Sequence, residues 1–154
     1  MISKYAFYTD VGDSKQLQSD FWFEITPPGY HGEYGFIYFY PNGQVKVKAG
    51  FCWDGASGPT IDTLDSVCAS LGHDVLYKLM GQRILPSTYK DEADQWFYLR
   101  LVNDGMVGFR AFAWFKAVRL FGIPTHSMDN FKRAPVPFYE EAERFNNPLI
   151  GRPA

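Results

Sequence analysis

Alternating apolar and polar positions predict an antiparallel hairpin in the first third of the chain. The segments GFIYFY at 35–40 and QVKVKAGF at 44–51 flank a Pro-Asn-Gly turn at 41–43. Asn-Gly between two alternating segments is the strongest short-range signal for a hairpin. In the second arm the valines share one side and the lysines the other, so one face of a small antiparallel sheet is expected to meet water. The run FWFEI at 21–25 predicts a further strand.

Apolar residues three or four positions apart predict helices in the second half of the chain. The first is expected from about Leu64 to Leu79, with Asp62 or Thr63 as its N-terminal cap. The second is expected over 88–103, and Asp104-Gly105 is expected to end it. One face of this second helix is predicted to consist of Ala93, Phe97 and Leu101, with Asp94 beside them.

A third apolar helix is predicted over 108–121, with Phe112, Phe115 and Val118 facing inward. Repeated prolines after residue 123 prevent a long helix, so residues 124–154 are interpreted as an arm that wraps its own body or grips a neighbouring subunit. The sequence thus predicts an α+β fold. A small N-terminal antiparallel sheet is packed with a three-helix core in one domain over residues 1–123, and an irregular Pro-rich C-terminal arm follows.

Composition narrows the possible functions. The 154 residues carry 15 Lys+Arg and 17 Asp+Glu, a net charge of −2, which gives no reason to expect a nucleic-acid partner. No apolar run is long enough to span a bilayer, and the N-terminus lacks the pattern of a signal peptide. Aromatic residues make up 18%, an excess that hints at contact surfaces. Cys52 and Cys68 are predicted to be buried thiols rather than a disulfide or metal ligands.

Ionisable residues interrupt the apolar faces of the first two helices. His73 and Tyr77 are four residues apart and share one face, with Asp74 a quarter-turn away. If the two helices pack antiparallel, Asp94 can approach His73 and Tyr77, and a histidine oriented by a buried carboxylate is the arrangement of a general base. The alternative stays open, because each of these residues taken alone is typical of a structural helix residue.

Several other sites are not supported. Ser57 lacks the Gly-x-Ser-x-Gly context of a hydrolase nucleophile, and no phosphate-binding glycine loop occurs. His31 and His126 have no partner at metal-ligand spacing. The Asp54-Gly55 pair after Trp53 is typical of a turn.

The motifs VKVKAGFCWDGASGP at 45–59, LGHDVLYKL at 71–79 and EADQWF at 92–97 give the chain a resemblance to a family of uncharacterised phage and prophage proteins. The resemblance implies a phage origin and a location in the virion or the bacterial host cytoplasm, without a signal peptide. Expected partners are other virion proteins, or a second copy through the C-terminal arm. No nucleic acid and no transmembrane segment are expected.

The helix sequence His73-Asp74-x-x-Tyr77 also resembles the active-site helix of secreted phospholipases A2. That resemblance implies that His73 is the base, Asp94 orients it and Tyr77 supports Asp94. It further implies a calcium ion, with Asp74 as a ligand. The segment Trp53-Asp54-Gly55 resembles the loop that precedes the catalytic helix, and would supply the remaining calcium ligands through its carbonyls. A host-envelope lipid is the expected substrate.

Three functional hypotheses follow. The first is a phage-encoded, metal-assisted hydrolase that acts on an ester or amide of the host envelope. The second is a non-catalytic virion or tail-associated protein that uses its aromatic surface and C-terminal arm for assembly. The third is a small zinc peptidoglycan hydrolase with Asp54, His73 and Asp74 as ligands.

Overall fold

The computed structural model describes residues 1–54 and 65–121 and shows an α+β fold. The described residues form two compact units, of which 1–54 holds the strands and 65–121 holds the helices. The predicted arm at 124–154 lies outside the described residues, and one domain over 1–123 stays a prediction.

Within residues 1–54, the strands form two antiparallel sheets rather than the single sheet predicted. They are β1 (Tyr8–Val11), β2 (Ser14–Leu17), β3 (Phe21–Glu24), β4 (Gly32–Tyr34), β5 (Ile37–Phe39), β6 (Gln44–Val47) and β7 (Cys52–Trp53). One sheet has the order β1-β2-β7 and the other the order β3-β6-β5-β4.

The predicted hairpin is β5 and β6. Phe39 pairs with Val45 across the two strands, and both side chains are fully buried. The intervening lysine of β6 remains partly exposed, as the alternation predicts. Gly43 in the turn has a φ of +91°, and a Cβ atom there would collide with the carbonyl oxygen of Ile25. The turn therefore requires glycine both for its backbone conformation and for the close approach.

In the second unit three helices follow one another: α1 (Val67–Gly81), α2 (Lys90–Asn103) and α3 (Gly108–Phe121). A 3₁₀ turn at Ser87–Tyr89 precedes α2. The first helix begins three residues later than predicted, and its N-cap, Ser66, makes no side-chain cap hydrogen bond. The predicted caps at 62 and 63 lie outside the described residues. Among the described residues, no helix is long and apolar enough to cross a membrane.

The contacts between helices show that α1 and α2 run antiparallel. Tyr77, late in α1, lies beside Lys90 at the start of α2, with the Lys90 amine 5.9 Å from the Tyr77 ring centroid. His73, earlier in α1, lies beside Phe97, later in α2, with ring centroids 5.0 Å apart. The antiparallel packing on which convergence of the polar residues depended is therefore present.

The inward face of α3 agrees with the prediction only in part. Ala111 and Trp114 are buried and Val118 packs against their cluster, as predicted for Val118, whereas Phe112 is 49% exposed and Phe115 is half-buried. The physical reason is the Trp114 indole, which stacks on Phe97 at 6.0 Å and fills the core of the helical unit. Apolar residues lie on two faces of α3, and the face that carries Trp114 is the one buried in the core.

Candidate active site

A fully buried carboxylate, Asp94 of α2, is the centre of a polar cluster inside the helical unit. Its Oδ1 atom lies 2.8 Å from Nε2 of His73 and accepts a hydrogen bond of 2.5 Å from the Tyr77 hydroxyl. Both partners come from one face of α1, because they are one helical turn apart. The structure therefore brings together the three residues that the sequence predicted as catalytic.

The second carboxylate oxygen of Asp94 faces two cations. The Lys90 amine donates to Oδ2 at 2.9 Å, and the Arg119 guanidinium of α3 approaches the same atom at 3.5 Å. Arg119 also donates to Asp91, one turn before Asp94 on α2. All three helices thus contribute to the cluster: α1 and α3 supply donors, and α2 supplies both a donor and the carboxylate.

The charge state of the cluster follows from these donors. Burial by itself would raise the pKa of Asp94, but hydrogen bonds from His73, Tyr77 and Lys90 outweigh it and lower that pKa to about 2. Burial, together with the hydrogen bond to Asp94, raises the pKa of Tyr77 above its usual value of 10. At neutral pH, Asp94 is therefore an anion that only accepts hydrogen bonds, and Tyr77 is a neutral donor.

This charge state fixes the histidine tautomer. An ionised carboxylate has no proton to donate, so the hydrogen bond between Asp94 and His73 requires the proton to be on Nε2. In neutral imidazole the other nitrogen, Nδ1, then carries the basic lone pair. None of the hydrogen bonds within the described residues involves Nδ1.

Packing holds the imidazole ring in this orientation. The His73 ring lies between the rings of Tyr77 and Phe97, with centroid separations of 4.1 and 5.0 Å. The His73 side chain keeps 11% of its surface exposed, whereas the Asp94 side chain is 0% exposed. The His73 ring is therefore slightly exposed, whereas its carboxylate partner is fully buried. Gly72 lets the Trp96 indole lie against α1, because a Cβ atom there would collide with the ring.

The predicted calcium ligands are distributed over both units. Asp74 of α1 is 36% exposed and lies 3.8 Å from the Lys78 amine. Trp53 of β7 is buried against the rings of Tyr8 and Phe51. Asp54 accepts a hydrogen bond of 3.0 Å from the Ser14 hydroxyl.

Gly55 lies outside the described residues, so the predicted ligand set is incomplete in the structure. In the described part of the chain, no group of three or more His, Cys, Asp or Glu side chains is placed to hold a metal ion. The zinc hypothesis takes Asp54 from one unit and His73 and Asp74 from the other, so it stays a prediction. For calcium, the described residues of the helical unit supply one predicted ligand, Asp74, and do not by themselves complete an oxygen shell.

The cysteines are buried thiols outside any disulfide, as predicted. Ser70, three residues before His73, donates a hydrogen bond to the carbonyl of Val67 at 2.9 Å. The start of α1 thus has no covalent link at this position, and its serine bonds within its own helix.

Sequence reasoning missed the two cations that hold Asp94. Lys90 had a usable signal, because it is four residues before Asp94 on the same helix, where opposite charges meet. Arg119 had none, because its approach to Asp94 depends on how α3 packs against α2.

Comparison with protein-family models, curated proteins and solved structures finds no match to this chain. The geometry of the His73–Asp94 pair is therefore the basis for a functional proposal. A histidine with a fixed tautomer, an ionised carboxylate partner and a basic nitrogen outside the hydrogen bonds of the described residues can withdraw a proton from water.

Proposed function

We propose that this protein is a phage-encoded hydrolase that cleaves a carboxylic ester of a host-envelope lipid, with His73 as the general base. The observation that carries the proposal is the 2.8 Å contact between Nε2 of His73 and the buried, ionised Asp94. That contact leaves Nδ1 as the basic atom on a side chain that still reaches the surface.

In the proposed reaction, Nδ1 of His73 takes a proton from a water molecule as its oxygen attacks the ester carbonyl carbon. The carbonyl π electrons move to oxygen, and a tetrahedral intermediate forms. When the intermediate collapses, the bond to the alcohol oxygen breaks, and the imidazolium returns its proton to that oxygen. Asp94 stabilises the imidazolium between these steps and prevents ring rotation.

The other hydrogen-bond donors keep Asp94 ionised, which is the charge state that the proposed reaction needs. A fully buried carboxylate with too few partners would take up a proton and could no longer orient His73 as a charged acceptor. Tyr77 and Lys90 place donors on different oxygens of Asp94, at 2.5 and 2.9 Å. They are positioning residues, because they act on His73 through the carboxylate.

Calcium remains part of the proposal through Asp74. When bound, such an ion would polarise the ester carbonyl. The chain's own contribution would be the Asp74 carboxylate, which must then exchange its contact with Lys78 for the ion. The base chemistry of His73 is proposed without this ion.

The test is hydrolysis of phospholipid and of short-chain esters by the full chain, followed by acid release. His73→Asn keeps a polar side chain but lacks the base, so the rate should fall by about 100-fold or more. The matched control is His31→Asn, which changes an exposed histidine of the first unit. Circular dichroism establishes that each variant retains its helices.

Equal rates for wild type and His73→Asn would refute the assignment of the base. Asp94→Asn provides a second measurement, because loss of the carboxylate should lower the rate and also change its pH profile. A rate that falls only in proportion to the folded fraction would show that Asp94 is structural.

A non-catalytic virion or tail-associated protein is the second candidate. Four donors around Asp94 are also what a structural buried carboxylate needs in the core of a helical unit. This candidate predicts no turnover in wild type and a loss of stability in Asp94→Asn. Sedimentation of the wild-type chain with purified virion proteins would test the assembly role directly.

A further inference from the structure

The third helix is apolar on its solvent side as well as on its core side. Phe109 is 81% exposed, Leu120 is 75% exposed and Phe112 is 49% exposed. These residues occupy positions i, i+11 and i+3, so they share one face of α3. We call this face, which also includes the exposed Ala113 and Lys116, the outer stripe of α3.

Such a stripe is unusual for a helix whose core face is already occupied. Ala111 and Trp114 bury the opposite side of α3 in the core of the helical unit. A surface helix normally places charged and polar residues on the side that faces water. Contiguous exposed aromatic and aliphatic side chains mark a surface that contacts another phase or molecule.

The charges on α3 indicate which partner fits. The sequence GFRAFAWFKAVRLF contains three basic residues and no acidic one, although the whole chain has a net charge of −2. Arg119 is paired with Asp91 and Asp94, so Arg110 and Lys116 are the cations that can meet a partner. Lys116 lies within the outer stripe, and its amine is 5.4 Å from the centroid of the Phe112 ring. An apolar stripe with cations in and beside it is complementary to anionic lipid headgroups above an acyl layer.

The length of α3 supports contact along a bilayer surface. A helix of 14 residues is about 21 Å long, shorter than the roughly 30 Å hydrocarbon core of a bilayer. It therefore suits a position in the plane of the interface, with aromatic side chains at the boundary between headgroups and acyl chains.

We infer that the outer stripe of α3 docks this protein on the surface of an anionic lipid bilayer. Arg119, on the same helix, contacts Asp94 of the His73 cluster, so the stripe and the candidate active site belong to one packed unit. The inference rests on the proposed function only in naming the substrate as a lipid packed in that bilayer. Docking itself requires no turnover.

The experiment is co-sedimentation of the full chain with sucrose-loaded vesicles, either of phosphatidylcholine alone or with 30% phosphatidylglycerol (roughly the anionic fraction that attracts basic surfaces). The double variant Phe109→Ser/Leu120→Ser removes two exposed stripe residues and should weaken partition by about tenfold or more. Lys116→Glu should abolish the preference for anionic vesicles. Phe7→Ser, which changes a 62% exposed residue of the first unit, is the matched control and should bind like wild type.

Unchanged partition of the double variant would overturn the inference, as would equal wild-type binding to both kinds of vesicle. A stripe-dependent dimer without vesicle binding would overturn it in favour of a second copy as the partner. His73→Asn separates the two proposals: it should bind vesicles like wild type without hydrolysing them. If the wild type binds vesicles but shows no turnover, docking is supported and the hydrolase proposal is contradicted. If it hydrolyses dispersed esters but does not bind vesicles, the hydrolase proposal is supported and docking is contradicted.

Discussion

Replacement of Asp94 by asparagine changes one atom in the most completely buried part of the polar cluster. The substitution keeps the shape of the side chain but removes its charge and turns one acceptor into a donor. The new amide group would face the donors of His73, Tyr77 or Lys90. The free energy of unfolding is therefore expected to fall, and to fall by an amount that depends on pH.

The magnitude follows from the pKa of Asp94. Hydrogen bonds overcome the effect of burial and lower this pKa from 3.8 to about 2 in the folded protein. One pKa unit corresponds to about 1.4 kcal/mol, so ionised Asp94 favours folding by about 2 kcal/mol at neutral pH. Because the folded pKa is the lower one, the unfolded chain binds the proton more tightly. The stabilisation is therefore complete above about pH 5 and is lost as pH falls towards 2.

Urea denaturation followed by far-ultraviolet circular dichroism at pH 7 and pH 2.5 measures this effect. Asp94→Asn should be less stable than wild type by at least about 2 kcal/mol at pH 7. The difference should shrink by more than about 1 kcal/mol at pH 2.5, where most of the charge-dependent part is gone. Asp91→Asn is the matched control, because it removes a carboxylate of the same helix that is 74% exposed. Its difference from wild type should remain small at both values.

Parallel stability curves for wild type and Asp94→Asn between pH 7 and pH 2.5 would refute the reasoning. They would mean that the hydrogen bonds from His73, Tyr77 and Lys90 do not lower the pKa of Asp94 in the folded protein.

Three further outcomes are expected. Gly72→Ala should lower the melting temperature, because the new Cβ would collide with Trp96, even though alanine favours a helix over glycine by about 1 kcal/mol. The double variant Gly72→Ala/Trp96→Ala should recover part of the loss. Gln16→Met should raise the free energy of unfolding by about 1 kcal/mol, because the buried Gln16 amide makes no hydrogen bond within the described residues; Gln44→Met, at a hydrogen-bonded surface position, should give no such gain. Calcium should raise the melting temperature of wild type but not of Asp74→Asn, and equal shifts or none in thermal unfolding would remove calcium from the proposal.

The elements that could be predicted from the sequence are those whose local pattern of apolar and polar residues matches the way they are buried. The hairpin over β5 and β6 combines strict alternation with an Asn-Gly turn, and α3 begins at the predicted residue. By contrast, β2 has the sequence SKQL, which lacks an alternating apolar pattern although all four residues are buried. β2 lies between β1 and β7, and β7 is a two-residue strand far along the chain, so local spacing does not reveal the burial of β2.

The same distinction applies to the candidate site. His73 and Tyr77 could be placed on one face because four residues separate them, and antiparallel packing was sufficient to bring Asp94 to them. The full burial of Asp94 and the approach of Arg119 depend on the packing of three helices. The face that α3 turns inward was predicted correctly for Val118 but wrongly for Phe112, because Phe97 on another helix determines where Trp114 fits.

The positions of the two cysteines allow local unfolding of each compact unit to be measured by thiol labelling. The chain contains two cysteines, and each compact unit holds one: Cys52 in β7 and Cys68 in α1, each 5% exposed. A thiol reagent reacts with a buried cysteine only when the surrounding structure opens, so its labelling rate measures the free energy of that opening. Cys68 lies in the helix that carries His73, and Cys52 lies in the sheet unit. Single-cysteine variants would therefore report the opening of α1 and of the sheet unit separately.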